Sequence, residues 1–327
     1  MESGKVPNEV LENIILRDIV NKRKEVLIGP GVGEDCSAID FGGDICVISS
    51  DPITGSTKDI GRLTVHINLN DLASSGAEPI GLMVTILAPV GSKEEELAEI
   101  MSQLITTAKT VNVDIIGGHT EVTSAVNRFV VMSTAIGKVK REKLVSTGGA
   151  KPGDSILLTK WAGLEGTAII ASEKEDELRG VLLEDELNEA KSYFDKLSVI
   201  PEGMIASNYG LSSMHDVTEG GILGAAWELA EASDKGIEIY YDKILISKVT
   251  KKICKHYNID PLRLISSGCM LICCKDGEEL SRKLTEASIP NSIIGVVTED
   301  TKKLIVLDGE VKEIEGPKSD ELYKVIK

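Results

Sequence analysis

Aromatic side chains are scarce in this chain: 3 Phe, 2 Trp and 6 Tyr in 327 residues. So few flat faces leave little from which to build a base-stacking platform. Positive charge is short as well, with 36 Lys and Arg against 52 Asp and Glu and a formal net charge of −16. A chain this acidic has no general attraction for nucleic acid or an anionic membrane surface, and neither is expected as a partner. No run reaches the roughly 18 uninterrupted apolar residues of a spanning helix. The opening, Met1-Glu2-Ser3-Gly4-Lys5-Val6-Pro7-Asn8, has neither the basic nor the apolar stretch of a secretory signal. The six cysteines, at 36, 46, 254, 269, 273 and 274, include no Cys-x-x-Cys pair. Buried reduced thiols and a cytoplasmic setting are expected, rather than a disulfide or zinc framework.

What is present is an ordinary globular complement, 42% hydrophobic and 27% charged. A chain of this length exceeds what one core usually supports, so two domains are expected. Helix and strand signals alternate, which argues for α/β or α+β layering. Val10, Leu11, Ile14, Ile15 and Ile19 recur at helical spacing. Ile45–Ile48, Leu82–Ala88 and Phe129–Ile136 read as strands. A helix is expected from Ser92, with Ser92 and Glu95 as a capping pair and Leu97, Ile100, Met101, Leu104, Ile105 and Ala108 on one face. The turn-rich stretch Ser146–Asp154 precedes a new strand at Ile156–Thr159 and marks a boundary, giving domains 1–148 and 149–327. Further strands are expected at Ile237–Tyr241, Cys269–Cys274, Ile293–Val297 and Leu304–Leu307, and a helix around Ile222–Ala232. The acidic run Glu173–Glu189 reads as a solvated helical face.

Four clusters could carry chemistry. Gly29-Pro30-Gly31-Val32-Gly33-Glu34-Asp35 would let backbone N–H groups approach a phosphate, with an acid behind them for a metal; a plain glycine turn is the other reading. Between Leu27 and Ile80 stand eight acids (Glu34, Asp35, Asp40, Asp44, Asp51, Asp59, Asp71, Glu78) against Lys58 and Arg62. Phosphates docking there would need Mg²⁺ for neutralisation, unless the acids form a solvated surface. Asp51 follows a strand and Asp71 opens an apolar segment, both suited to ligand-binding loops. In Asp114-Ile115-Ile116-Gly117-Gly118-His119-Thr120-Glu121 a buried strand is expected to enter a double-glycine turn, then three ligand-binding groups; a structural histidine is the alternative. Last, His215-Asp216-Val217-Thr218-Glu219-Gly220-Gly221 precedes a helix that Asp216 or Thr218 could cap, leaving either plain capping or an anion site at its N-terminus.

In this order the clusters resemble the superfamily of aminoimidazole ribonucleotide (AIR) synthetase, which also holds selenophosphate synthetase, thiamine-monophosphate kinase and the hydrogenase maturation protein HypE. The resemblance rests on Gly31–Asp35, Ser50–Ile53, Val65–Ala73 with Gly76–Pro79, Gly117–Thr120, Ala150–Asp154, His215–Gly221, Ser266–Gly268 and Ile294–Val297. It implies two α+β domains, the first pairing with its copy in a homodimer to close a β-barrel. It implies ATP bound through Mg²⁺ near that interface, with the γ-phosphoryl passed to an oxygen or selenium nucleophile. By the same resemblance Asp35, Asp51 and Asp71 serve the metal, to which Glu121 is added. Gly31, Gly33, Asn70, Gly117, Gly118, Thr120, Gly220 and Gly221 are expected to contact the nucleotide. Asp71, Asp216 and His119 are expected to be catalytic.

Departures narrow the subfamily. His119 stands where the kinase and HypE patterns have Asp and the purine enzyme has Glu. There is no N-terminal Cys in a glycine-rich loop, which argues against selenophosphate synthesis. His215–Gly221 is most similar to HypE, yet Leu322-Tyr323-Lys324-Val325-Ile326-Lys327 lacks the terminal Cys that HypE modifies. The expectation is a HypE-like, ATP-dependent enzyme acting on a separate small-molecule or protein-borne acceptor. A purine-type cyclo-ligase, a small-molecule kinase and a catalytically silent nucleotide-binding scaffold are the rivals.

Overall fold

A computed structural model describes residues 8–10, 16, 24–34, 36–54 and 58–326. After a helical piece, α1 (Asn8–Val10), come β1 (Val26–Ile28), β2 (Ser37–Asp40), β3 (Ile45–Ile53), α2 (Ile60–Ser74), β4 (Glu78–Pro89), α3 (Glu94–Thr110), β5 (Asp114–Thr123) and β6 (Val130–Val139). The strands make one sheet in the order β1-β2-β3-β6-β4-β5. Every neighbour is antiparallel except β4 and β5, which run parallel because α3 carries the chain back across the sheet. Alternate residues Val47, Leu82, Val84, Ile86, Val131 and Ala135 point to one face, and α2 buries Leu63, Leu69 and Leu72 against them.

The second half starts from β7 (Ser155–Thr159) and continues through α4 (Leu164–Glu173), α5 (Glu175–Leu178), α6 (Glu184–Ser192), α7 (Ile200–Ala206) and β8 (Leu211–Val217). It ends with α8 (Gly221–Ala232), β9 (Gly236–Tyr240), α9 (Lys248–Tyr257), β10 (Cys269–Cys274), α10 (Gly277–Glu286), β11 (Asn291–Thr298), β12 (Lys303–Leu307) and β13 (Glu310–Glu313). Its sheet has the order β13-β12-β9-β11-β7-β10-β8. In β10 every residue is buried: Cys269, Leu271 and Cys273 enter one apolar cluster while Met270, Ile272 and Cys274 enter the other.

The halves meet along α2. Asn70 donates to the Leu197 carbonyl at 2.8 Å and accepts from the Val199 N–H at 2.9 Å. Gly203 lies so close to Ala73 that a Cβ there would sit 2.3 Å from its carbonyl oxygen. His66, one turn before Asn70, is buried in the same face. Burial, with the Arg62 and Lys160 charges beside it, pulls its pKa down to about 4, so the imidazole is neutral.

Several local expectations shift. The α3 capping contact falls one residue later than expected, from the Lys93 N–H to Glu96, while Ser92 donates to the Pro89 carbonyl. Ile105 is 41% exposed, off the buried face formed by Ile100, Leu104 and Ala108. Of the amphipathic segment at 10–19, Val10 lies in α1, and most of the rest lies outside the described residues. The six cysteines form no disulfide. Burial raises Cys254 and Cys269 to about 12 and Cys274 to about 11, so these thiols are not ionised at neutral pH. No helix among the described residues is long and apolar enough to cross a membrane.

Candidate functional site

Asp71 is not at a loop end. It lies inside α2 at 4% exposure, because the helix runs through to Ser74 with its polar Asn68 and Asp71 turned to β3. The Ser49 hydroxyl donates to the Asp71 carboxylate. Asp51 is likewise within β3, which continues to Ile53, and its N–H donates to Asn68 Oδ1 at 2.9 Å. Ser49 and Asp51 are two residues apart on one strand, so they share a face. The two carboxylates therefore flank one contact between β3 and α2.

The glycine loop reaches the same place. Cys36, three residues past Gly33, donates its thiol to the Asp71 carbonyl at 2.9 Å. Gly33 has φ +78° and approaches α8 so closely that a Cβ would lie 3.0 Å from the Glu228 carbonyl oxygen. Glu34 Oε1 accepts from the Gly148 N–H at 3.4 Å. Gly31 is half-buried in this loop, and Asp35 lies outside the described residues. Across the seam, α8 and β8 bring His215 and Glu228 to 3.2 Å in a buried pair, with Asp216 beside His215 at 1% exposure.

No three His, Cys, Asp or Glu side chains among the described residues converge as a complete metal cage. Asp51 and Asp71 nevertheless suit Mg²⁺, which takes one or two carboxylates and fills its remaining positions with phosphate oxygens and water.

Gly117, Gly118, His119, Thr120 and Glu121 lie elsewhere. They form no double-glycine turn; the segment is the middle of β5, an exposed edge strand whose one partner among the described residues is β4. Gly118 is required there, since a Cβ would come within 1.8 Å of the Val84 carbonyl oxygen. His119 and Glu121 meet at 3.2 Å on the surface. Three strand spacings, roughly 14 Å, separate β5 from β3, so within one chain this group does not join Asp51 and Asp71.

Gly220 and Gly221 open α8 with φ +84° and +62°. Neither Asp216 nor Thr218 caps the helix, because Asp216 belongs to β8 and the Gly220 N–H donates instead to Asp320 Oδ2 at 2.7 Å. Sequence reasoning missed Asp320, a residue 100 positions away with no local signature. It also missed Ser49, Asn68 and Glu228, whose side chains hold the expected residues in place.

Residues 33–139 match the family described as AIR synthase related protein, N-terminal domain, and residues 151–308 match AIR synthase related protein, C-terminal domain. A Methanocaldococcus jannaschii protein named for hydrogenase expression or formation is 31% identical over 93% of this chain and 91% of its own length. A thiamine-monophosphate kinase of Pyrococcus horikoshii is 26% identical over 87% of this chain and 84% of its own. The fold is that of HypE in a HypE–HypF complex, with TM-score 0.79, 23% identity and coverage of 94% and 99% of the two chains. HypE in complex with ATP aligns with TM-score 0.71 and 18% identity over 98% of this chain and 97% of its own.

Proposed function

The chain belongs to the AIR synthase related family, and from that membership we propose that it is an ATP-dependent, Mg²⁺-requiring enzyme of phosphoryl transfer or activation, HypE-like in pattern. Its first domain, to residue 148, holds nucleotide and metal; its second, from residue 149, faces the acceptor, a separate small molecule or protein-borne group. The observation that carries this reading is the shared β3–α2 contact of Asp51 and Asp71, joined to the Gly31–Gly33 loop through Cys36. From the sequence resemblance alone, Asp35 is assigned to the same metal. When bound there, Mg²⁺ supplies charge neutralisation for the transferred phosphoryl group. Ser49 holds the Asp71 carboxylate and Asn68 holds the Asp51 backbone, so little reorganisation of this framework is needed as charge develops. A HypE bound to ATP supports the nucleotide assignment. Asn70 acts from the seam, where its amide holds the second half against α2.

The working unit in this proposal is a homodimer. The outer edge of β5 is unpaired among the described residues, and the exposed face of the sheet shows Ile80, Met83, Ile116 and Met132 at 39–52% exposure. Such an edge calls for a cover. A second copy pairing there, closing the two sheets into a barrel, would bring its Gly117, Gly118, His119, Thr120 and Glu121 to the nucleotide. Asp71, Asp216 and His119 form the catalytic set, with Glu121 a metal ligand contributed across the interface.

Titration calorimetry with a non-hydrolysable ATP analogue tests the reading. Binding is expected with Mg²⁺ and is expected to be lost in EDTA, since the acidic surroundings repel bare polyphosphate. Equal affinity in both would overturn it.

A further inference from the structure

Residues 315–326 lie along α8 and reach its N-terminal turn. Gly316 sits against the Trp227 ring, where a Cβ would be 3.3 Å from it, and Pro317 touches Gly220 and Gly224. The Arg263 guanidinium donates to the Glu315 carbonyl at 3.2 Å, and Leu322 and Val325 are buried. Asp320 is buried with them at 2% exposure. Its carboxylate accepts from the N–H groups of Gly220 at 2.7 Å, Ile265 at 3.1 Å and Leu322 at 2.8 Å. Two of these donors belong to the second half's own framework, Gly220 at the start of α8 and Ile265 in the loop before β10. They form a cradle for an anion at the positive end of a 12-residue helix.

The surroundings are unusual for a plain cap. Glu165, in the first turn of α4, is 2% exposed, has Ser267 beside it, and its Oε2 has no hydrogen-bond partner. Glu165 and Glu219 both act on Asp320 electrostatically, and the Tyr323 hydroxyl donates to Glu219 at 2.8 Å. Lys324 is engaged with Glu321, and Arg263 with a backbone carbonyl. Burial pushes Glu165 up to about 7 and Asp320 up to about 6. A carboxylate is thus inserted beside other acids, at an electrostatic cost, onto backbone N–H groups able to bind an anionic oxygen.

We propose that residues 315–326 form a self-inserted strap, and that the Asp320 carboxylate holds the place of an anionic group of the acceptor, which displaces the strap on binding. This rests on the proposed function only for the word acceptor; the cradle itself is a site for a phosphate or carboxylate. Its donors are neutral N–H groups, so the neighbouring acids favour a ligand that also brings a hydrogen-bond donor or positive charge towards Glu165 and Glu219.

The chain has only two tryptophans. Trp161→Phe therefore leaves Trp227, under the strap, as the sole fluorescent reporter. With the nucleotide site filled by a non-hydrolysable ATP analogue and Mg²⁺, inorganic phosphate is titrated into this parent and into the parent carrying Asp320→Ala. The expected result is a red-shifted Trp227 in Asp320→Ala before any phosphate, and phosphate binding at least tenfold tighter than in the parent, whose spectrum shifts only as phosphate displaces the strap. Equal phosphate affinity in the two proteins, or an unshifted Trp227 in Asp320→Ala, would overturn the proposal. If Asp320→Ala does not fold, Asp320→Asn is read by the same two criteria. Failure of the analogue to bind counts against the proposed function and leaves the phosphate comparison readable. Failure of the phosphate comparison with the analogue bound counts against the strap alone.

Discussion

Strands β5 and β10 lie far apart in burial. Both sequences contain apolar runs, Ile115-Ile116 and Cys269–Cys274, yet β10 has neighbours on both edges and an apolar cluster on each face, whereas β5 has one neighbour and an exposed surface. In the second half β10, one strand in from the β8 edge, has no contact left to make. The first half is unfinished, and it is there that His119 and Glu121 stand in the open. The difference teaches that burial completed within a chain marks scaffold, whereas a strand left bare on an otherwise ordered sheet marks a place where something else is needed.

That contrast can be attacked at several points. Ile272→Ala in β10 should cost about 2–5 kcal/mol of unfolding free energy, since a fully packed site collapses poorly around a cavity; urea denaturation checks it, and a cost under ~1 kcal/mol would deny the strand its central role. The seam between the halves should give the next largest effect. His66 protonates at about 4 in the folded chain against an ordinary value of 6.5. Because the unfolded chain binds that proton first, stability present above pH 6.5 should fall by about 3 kcal/mol as the pH drops towards 4. Urea unfolding between those limits should show the slope, and His66→Gln should flatten it. Glu165 and Asp320 act in the opposite sense. Their folded values lie above the ordinary ones, so the stability they add at low pH is lost as the pH rises through about 6 and 7. Asp320→Asn should therefore remove part of the decline on the alkaline side.

Asp71→Asn should weaken Mg²⁺-dependent nucleotide binding at least tenfold, about 1.4 kcal/mol, by calorimetry. The helical position should survive because Asn can still accept from Ser49; wild-type affinity would return Asp71 to a purely structural role. The smallest stability change is expected on β5, where Ile116→Ala should fall within about 0.5 kcal/mol in the dissociated chain. Its companion, Ile116→Lys, should convert a species of twice 35.1 kDa into the single chain by light scattering. A wild-type protein that is already monomeric at micromolar concentration would remove the basis for both.

The sequence made the alternation of elements legible, and strands such as Cys269–Cys274 to the residue, because turn residues bound them tightly. It misjudged β5, since a glycine pair signals a turn as readily as the close approach that Gly118 makes to Val84. It misjudged Asp71 for a related reason. A carboxylate before Leu72-Ala73 reads as a helix start, and only the contact with Ser49 on another strand shows how it is accommodated inside α2. Asp320 was beyond reach altogether, because its donors at 220 and 265 are joined to it by folding rather than by spacing.

The clamp made by Asn70 has a consequence for how the protein is made. Its hydrogen-bond partners lie 127 and 129 residues further along the chain. At synthesis rates of roughly 5–20 residues per second, α2 leaves the ribosome on the order of 6–26 s before the segment that will cover it. The first sheet can close within that interval, once β6 has followed α2 out to pair with β3 and β4, while the face carrying His66, Asn70 and Ala73 stays open to water. The amide and the imidazole keep that face wettable, where a leucine stripe would have invited premature association. Polar residues in the seam thus protect the nascent chain as well as joining the finished one.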